Sequence, residues 1–364
     1  MTGPVIIAAG GTGGHMFPAL ALARELRGRG QEVAVVTDAR GARYVGGDVA
    51  SHVISAGSPS GSISAQLAGV GRLGMGSAQS MGLFLRLRPA AAACFGGYAS
   101  VPPALAAAAT GRPLMLHEQN AVLGKANRLI AGFATRIALS FEHTERTARL
   151  PRERMVVTGN PVRPTFVAGS GRYVPPGRDE TFRLLVLGGS QGARVLSDVV
   201  PGGIALLPDE LRRRLAVTQQ CRPEDIERAG QAYAALGMTP VLGTFFADVP
   251  ALMDEAHLVI TRSGASTVSE LLAVGRPSLL VPYAYAADDH QRANAAELQH
   301  AGAADMVLEK AFSAGILAEK LRLYMQEPSR LETMGARART VARPDAAQLL
   351  ADAVMALVPR EALA

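Results

Sequence analysis

The residues best suited to chemistry in this chain gather at two glycine clusters and three polar loops. The first cluster runs Gly10, Gly11, Thr12, Gly13, Gly14 and is followed by His15. Main-chain amides exposed at such a turn, with a helix N-terminus behind them, suit a phosphate or diphosphate; the same residues also suit a tight turn that packs a helix on a strand. Two familiar phosphate signatures are excluded. Counting from Gly11, the third glycine of the dinucleotide fingerprint falls on Met16, and no Lys-Ser or Lys-Thr pair closes a P-loop. His15 stands at the head of a helical pattern, placed either to take a proton from a substrate hydroxyl or to cap that helix. The second cluster, Gly188, Gly189, Ser190, Gln191 and Gly192, sets the Ser190 hydroxyl in a loop fit for phosphate, or for an ordinary turn with a serine N-cap.

Three further loops carry concentrated polar groups. His117, Glu118, Gln119 and Asn120 end an apolar run, and Glu118 there suits a base, a group that orients a histidine, or a ligand for a sugar hydroxyl. Arg262 to Glu270 reads RSGASTVSE; Thr267 and Glu270 have capping-box spacing, while a carboxylate one turn into a helix also suits a ribose diol. Asp288, Asp289, His290 and Gln291 offer hard ligands, but acids also favour helix starts, and no second acidic cluster completes a coordination shell. No metal is expected.

These loops need elements to aim them. Four follow a short β-branched or leucine-rich run and precede a helical pattern: Pro4–Ala9, Leu114–Leu116, Phe182–Leu187 and His257–Thr261. Strand, loop and helix in alternation predict an α/β fold with parallel sheets covered on both faces, and ligands at the carboxyl ends of the strands. Ala168–Glu180, rich in Gly, Pro, Ser and charge, reads as a linker after the stretch Thr158–Pro164. It divides the 364 residues into two α/β halves. Pro344–Val358 has a proline start and apolar residues at helical spacing.

Composition narrows the class. With 48% hydrophobic and 19% charged residues the chain reads as globular, and Cys94 and Cys221 as separate buried thiols. Met1–Ala9 lacks the features of a signal peptide, no apolar run is long enough to span a bilayer, and no nucleic-acid-binding tract occurs, which points to the cytosol. The net charge of +6 is unevenly spread: Val49–His117 contains no Asp or Glu but holds Arg72, Arg86, Arg88 and Arg112. Within it, Met81, Leu83, Phe84, Leu85 and Leu87 lie beside Arg86 and Arg88, a pattern for docking on an anionic membrane or for a core helix whose arginines reach water.

In order and spacing, GGTGGHMFPALALA, FGGYASVPPALAA, LHEQN, GNPVR, GGSQGAR, RSGASTVSELLAVGRPSLLVPY and DDHQRANA resemble the MurG family of cell-wall glycosyltransferases over almost the whole chain. The resemblance implies a GT-B fold, two Rossmann-like doubly wound domains facing across a cleft. Residues 1–163 would form the acceptor and membrane-associating domain and 164–340 the UDP-GlcNAc-binding domain, with a helix in 341–364 packing back on the first. It implies transfer of N-acetylglucosamine from UDP-GlcNAc to the muramoyl 4-hydroxyl of lipid I, giving lipid II with inversion. No cofactor or metal is implied. The partners would be the two substrates, an anionic membrane surface and other cell-wall synthesis proteins, and the location the cytoplasmic face of the plasma membrane.

Carried over by position, the resemblance puts the donor diphosphate and sugar near Thr12, Gly13 and Gly14, with Asn120 and Gln291 on the sugar hydroxyls. Arg163 and Ser190 would contact the nucleotide. Phe245, Phe246 and Val249 would hold uracil, Glu270 the ribose, and Ala265, Ser266, Thr267, Val268 and Ser269 the diphosphate side. His15 is the implied base, with His117, Glu118 and Tyr98 around the acceptor. Phe246 replaces an isoleucine and His290 a glutamine of some relatives. The alternatives are an enzyme like UDP-GlcNAc 2-epimerase or another GT-B glycosyltransferase.

Overall fold

Strands buried on both faces of a parallel sheet need no polar alternation, and the run Val5–Ala8 becomes such a strand, β1, with all four residues buried. The computed structural model describes residues 3–47, 49–59, 61–168, 171–189 and 192–359. The chain divides into two units: Met1–Arg163 with Arg343–Ala364, and Pro164–Ala342.

In unit 1, β1 leads to α1 (Gly13–Gly28), β2 (Val33–Thr37), β3 (Ala50–Val53), α2 (Ile63–Leu87) and β4 (Ala91–Cys94). After these come α3 (Val101–Ala109), β5 (Leu114–Glu118), α4 (Lys125–Ile130), β6 (Arg136–Leu139) and β7 (Met155–Val157). The seven strands are all parallel, in the order β3-β2-β1-β4-β5-β6-β7. The order reverses between β1 and β4, the topological switch point at which doubly wound sheets open for ligands.

Unit 2 starts with α5 (Pro164–Ala168) and β8 (Phe182–Leu187). It continues through α6 (Arg194–Ala205), α7 (Asp209–Arg212), β9 (Leu215–Gln220), α8 (Ile226–Ala234), β10 (Val241–Gly243) and α9 (Val249–Glu255). The rest is β11 (Leu258–Thr261), α10 (Ala265–Val274), β12 (Ser278–Leu280), α11 (His290–His300), β13 (Ala304–Met306), α12 (Ala314–Gln326) and α13 (Pro328–Val341). Its parallel sheet runs β10-β9-β8-β11-β12-β13, with the switch point between β8 and β11. The chain then closes with α14 (Ala346–Met355), which packs on α1 and puts Leu350, Ala351 and Val354 into one core with Met16, Ala19, Leu22 and Leu26.

α2 corrects part of the sequence reading. Its small residues face inward: a Cβ on Gly76 would lie 2.0 Å from the Ser55 carbonyl oxygen and one on Gly69 2.6 Å from that of Ser58. Only glycine permits that approach. The same face carries Leu83 and Phe84 into the core, so neither is available to a membrane, and Met81 and Leu87 are half-buried against that core. Ile63, Leu67, Val70, Met75 and Leu85 are exposed instead, as are Arg72, Arg86 and Arg88. Residues 63, 67 and 70 share one helical stripe, and Leu85, about five turns beyond Leu67, continues it. Among the described residues no helix is long and apolar enough to cross a membrane.

Candidate active site

In unit 1 the loop leaving β1 passes through Gly11 at φ +77° and enters α1 at Gly13. Thr12 is the N-cap but its side chain caps nothing, and no acid lies in the first turn, so the positive end of the helix dipole is left for a ligand. The loop is tied down from β2. Asp38 Oδ1 accepts the amides of Gly11 at 3.0 Å and Gly41 at 2.9 Å, while Oδ2 accepts Arg40 Nε and Nη2 at 3.1 and 3.0 Å. Burial disfavours the Asp38 charge, but these donors outweigh it and hold the carboxyl below the ordinary aspartate value.

His15 lies in the first turn of α1, half-buried, with Nδ1 2.8 Å from Gln119 Oε1. Two glycines from the loop after β4 lie along its other edge. A Cβ on Gly96 would sit 3.4 Å from Cε1 of the ring and one on Gly97 3.5 Å from Cδ2, the two carbons flanking Nε2. Both glycines have positive φ, +85° and +71°. Nε2 has no hydrogen-bond partner among the described residues, so the ring presents one anchored nitrogen and one open one.

The HEQN loop corrects two expectations. His117 is fully buried, with Nε2 3.1 Å from the Gly159 carbonyl oxygen and Nδ1 2.9 Å from Gln119 Nε2. Burial pushes its imidazole down to about 4, so it stays neutral, and both of its ring nitrogens are already engaged within unit 1. Glu118 is 1% exposed and saturated: Oε1 accepts Asn120 N and Nδ2, and Oε2 accepts Gly124 N and Asn127 Nδ2 at 2.9 and 2.7 Å. A carboxylate with four donors on it organises its loop and is not a base. Asn120, half-buried beside it, Tyr98 after β4, and Arg163, whose guanidinium lies 5.4 Å from the Phe17 ring centroid, complete the unit 1 residues named above.

The unit 2 counterpart lies at the ends of β8 and β11. Gly189 and Gly192 have positive φ in the first loop, where Ser190 and Gln191 lie outside the described residues. After β11, α10 starts at Ala265 with Gly264 as an N-cap that supplies no side chain, and Ser266 Oγ in its first turn is buried without a partner. That start overturns the capping-box reading: Glu270 lies in the second turn, 8% exposed, too far along to cap.

The loop before α10 is held by Arg262, 8% exposed, which pairs with Glu309 through Nη1 and Nη2 at 3.0 Å each and donates to the carbonyls of Val281 and Pro282. Gln291 Oε1 accepts Tyr283 N at 3.0 Å, and Ser263 Oγ donates to the Gln291 carbonyl. Phe245 is 77% exposed, Phe246 lies over Gly243, and Val249 opens α9, whose N-cap is Asp248. Asp288 and Asp289 adopt left-handed backbone; Asp289 pairs with Arg292 and His290 Nδ1 bonds the Ala287 carbonyl. Among the described residues no three His, Cys, Asp or Glu side chains converge.

Residues 5–139 match the N-terminal domain of glycosyltransferase family 28, and residues 183–350 match its C-terminal domain. Over 98% of this chain and 97% of the relative, the sequence is 48% identical to a Paramagnetospirillum magneticum protein. That protein is named UDP-N-acetylglucosamine–N-acetylmuramyl-(pentapeptide) pyrophosphoryl-undecaprenol N-acetylglucosamine transferase. The chain belongs to the MurG family. Its fold matches the crystal structure of Acinetobacter baumannii MurG with a TM-score of 0.80 at 28% identity, over 97% of this chain and 99% of that one. A Neisseria meningitidis UDP-GlcNAc 2-epimerase bound to UDP-GlcNAc reaches a TM-score of 0.70 over 97% of this chain and 100% of that one, at 12% identity, which is a likeness of fold alone.

Four residues of this MurG-family chain escaped the sequence reading as individuals: Asp38, Gln119 and the paired Arg262 and Glu309. Asp38 had a signal, an acid at the end of the strand after a glycine loop, where nucleotide folds keep a ribose ligand. Here its lone pairs go to the loop itself.

Proposed function

We propose that this chain moves N-acetylglucosamine from UDP-GlcNAc to the muramoyl 4-hydroxyl of undecaprenyl-diphospho-muramoyl-pentapeptide, lipid I, to make lipid II in peptidoglycan synthesis. It is a UDP-GlcNAc-dependent glycosyltransferase. The observation that carries the reading is the His15 ring, anchored at Nδ1 and open at Nε2 at the unit 1 switch point, in a chain related to such transferases over its full length.

The reaction is a single displacement. The acceptor oxygen bonds to the anomeric carbon as the bond to UDP breaks, UDP leaves with the electron pair, and His15 Nε2 takes the hydroxyl proton. Thr12, Gly13, Gly14 and Asn120 meet the sugar from unit 1, where Arg163 faces the nucleotide and Tyr98 the acceptor. In unit 2, Phe245, Phe246 and Val249 hold uracil, Glu270 the ribose and Gln291 the sugar. The charge that grows on UDP falls to the first turn of α10, Ala265 to Thr267 with Val268 and Ser269 behind; its free amides and the partnerless Ser266 hydroxyl support that role. Ser190 belongs to the same phosphate side by family position. Because dipole and amides take this charge, turnover survives EDTA.

The chain works at the cytoplasmic face of the membrane, docked through the exposed stripe Ile63, Leu67, Val70 and Leu85 with Arg72, Arg86 and Arg88 drawn to anionic lipid. The test is transfer of labelled sugar from UDP-GlcNAc to lipid I in EDTA. Lipid II and stoichiometric UDP are expected. Turnover of UDP-GlcNAc alone, indifferent to lipid I, would instead support an epimerase.

A further inference from the structure

We infer that Gln119 is a positioning residue that sets the tautomer of His15, holding its proton on Nδ1 so that Nε2 faces substrate as a proton acceptor. The inference rests on the reading of His15 as the base, but the tautomer itself follows from unit 1 geometry. Three side chains form one line: His15 Nδ1 lies 2.8 Å from Gln119 Oε1, Gln119 Nε2 lies 2.9 Å from His117 Nδ1, and His117 Nε2 lies 3.1 Å from the Gly159 carbonyl. Each junction taken alone accepts either direction of donation. Two backbone carbonyls remove the ambiguity.

A main-chain carbonyl only accepts. Facing Gly159 O, His117 must carry its proton on Nε2, which leaves Nδ1 as an acceptor needing a donor. The Gln119 amide nitrogen supplies it, and that nitrogen also lies 3.2 Å from the His117 carbonyl oxygen, a second acceptor. A flipped amide would set oxygen against a lone pair and a carbonyl together, two repulsive contacts in a fully buried place. The amide oxygen therefore points at His15, and its partner Nδ1 must be the protonated nitrogen. Burial keeps His117 neutral down to about 4, so the line keeps this direction at any pH where the enzyme works.

The relay differs from a carboxylate–histidine pair in one useful way. A carboxylate at position 119 would also accept from Nδ1, but its charge would favour the imidazolium, so that the ring becomes a free base only at higher pH. A neutral amide orients the ring and selects the tautomer without that penalty.

The experiment is nitrogen NMR of the full chain labelled at histidine, joined to steady-state transfer kinetics. In the wild type the His15 signals should show a protonated Nδ1 and a bare Nε2. Gln119→Met should lose that preference and drop kcat by roughly 10- to 1000-fold with KM for UDP-GlcNAc nearly unchanged. Gln119→Glu should move the acid limb of kcat/KM to higher pH, an effect that a purely structural role does not produce. A wild-type His15 protonated on Nε2 overturns the inference even if no variant folds. So does a Gln119→Met enzyme with tautomer and kcat unaltered, or a Gln119→Glu profile with its acid limb in place. The base reading is judged separately: His15→Ala at full kcat would end it, whatever the spectra show.

Discussion

The glycine loop after β1 and the start of α10 after β11 both lie at the carboxyl end of a strand beside a switch point, yet they are built by different means. In unit 1 the loop is fastened by buried side chains, Asp38 from below and the His15, Gln119, His117 line from the side, with Glu118 knotting the next loop through four hydrogen bonds. In unit 2 the Arg262–Glu309 pair holds the loop but the helix start itself has no side-chain cap, and elsewhere in the unit Phe245 and Tyr285 are 77% and 82% exposed. The contrast follows the chemistry each is asked to do. A proton acceptor needs one nitrogen held in one direction, while a leaving diphosphate and a flat base need amides and open surface. Topology places both sites; the hydrogen bonds around each decide which groups are left open.

Damage to the buried fastenings of unit 1 should therefore appear as lost structure, and damage to the donor-facing groups of unit 2 as lost donor affinity. The largest effect expected is that of Glu118→Ala. It strands four donors in a buried loop, which should cost at least about 3 kcal/mol of unit 1 stability by denaturant titration and abolish transfer. A variant as stable as wild type would show that the knot is not what holds the loop. Next, Glu270→Gln should raise KM for UDP-GlcNAc by roughly 10–100-fold, the scale of a charged hydrogen bond, with melting temperature nearly constant. A large melting shift with KM unchanged would make Glu270 structural and erase the contrast.

His117 gives a pH test of the same idea. Its folded value of about 4 lies below the ordinary 6.5, so folding favours the neutral ring. The stability it contributes is whole above about pH 6.5 and is lost as pH falls toward 4. Between pH 7.5 and 5 this removes about 2 kcal/mol, and His117→Asn should flatten that slope in denaturation curves. The smallest effect concerns the α2 stripe. Leu67→Ser with Leu85→Ser should weaken binding to anionic vesicles roughly tenfold and spare transfer to a soluble acceptor; unchanged vesicle binding would move the docking surface elsewhere.

Much of the fold was legible because both sheets are parallel. Val5–Ala8 and Phe182–Leu187 read as strands from apolar content alone, and each was followed by its glycine loop. His15 was legible for the same reason, as the polar residue that a switch-point loop must aim. What stayed hidden depends on direction or neighbours. Met75–Pro89 is apolar on several sides, so its composition does not say that Leu83 and Phe84 turn inward while the exposed stripe begins far upstream at Ile63. Thr267 and Glu270 have the spacing of a capping box, but the end of β11 at Thr261 lets α10 start at Ala265, three residues too early for it. Gln119 gave no signal beyond polarity, because its role arises from two carbonyls that the fold brings beside it.

The proposed division of labour puts the base in unit 1 and the hold on UDP in unit 2. Its most direct test is the rate of a single turnover at saturating UDP-GlcNAc with lipid I, for His15→Ala and Glu270→Gln side by side. His15→Ala should slow the chemical step by roughly 10²–10⁴ with donor binding intact, while Glu270→Gln should approach the wild-type rate once donor is saturating. A His15→Ala enzyme that turns over at the wild-type rate would contradict that division.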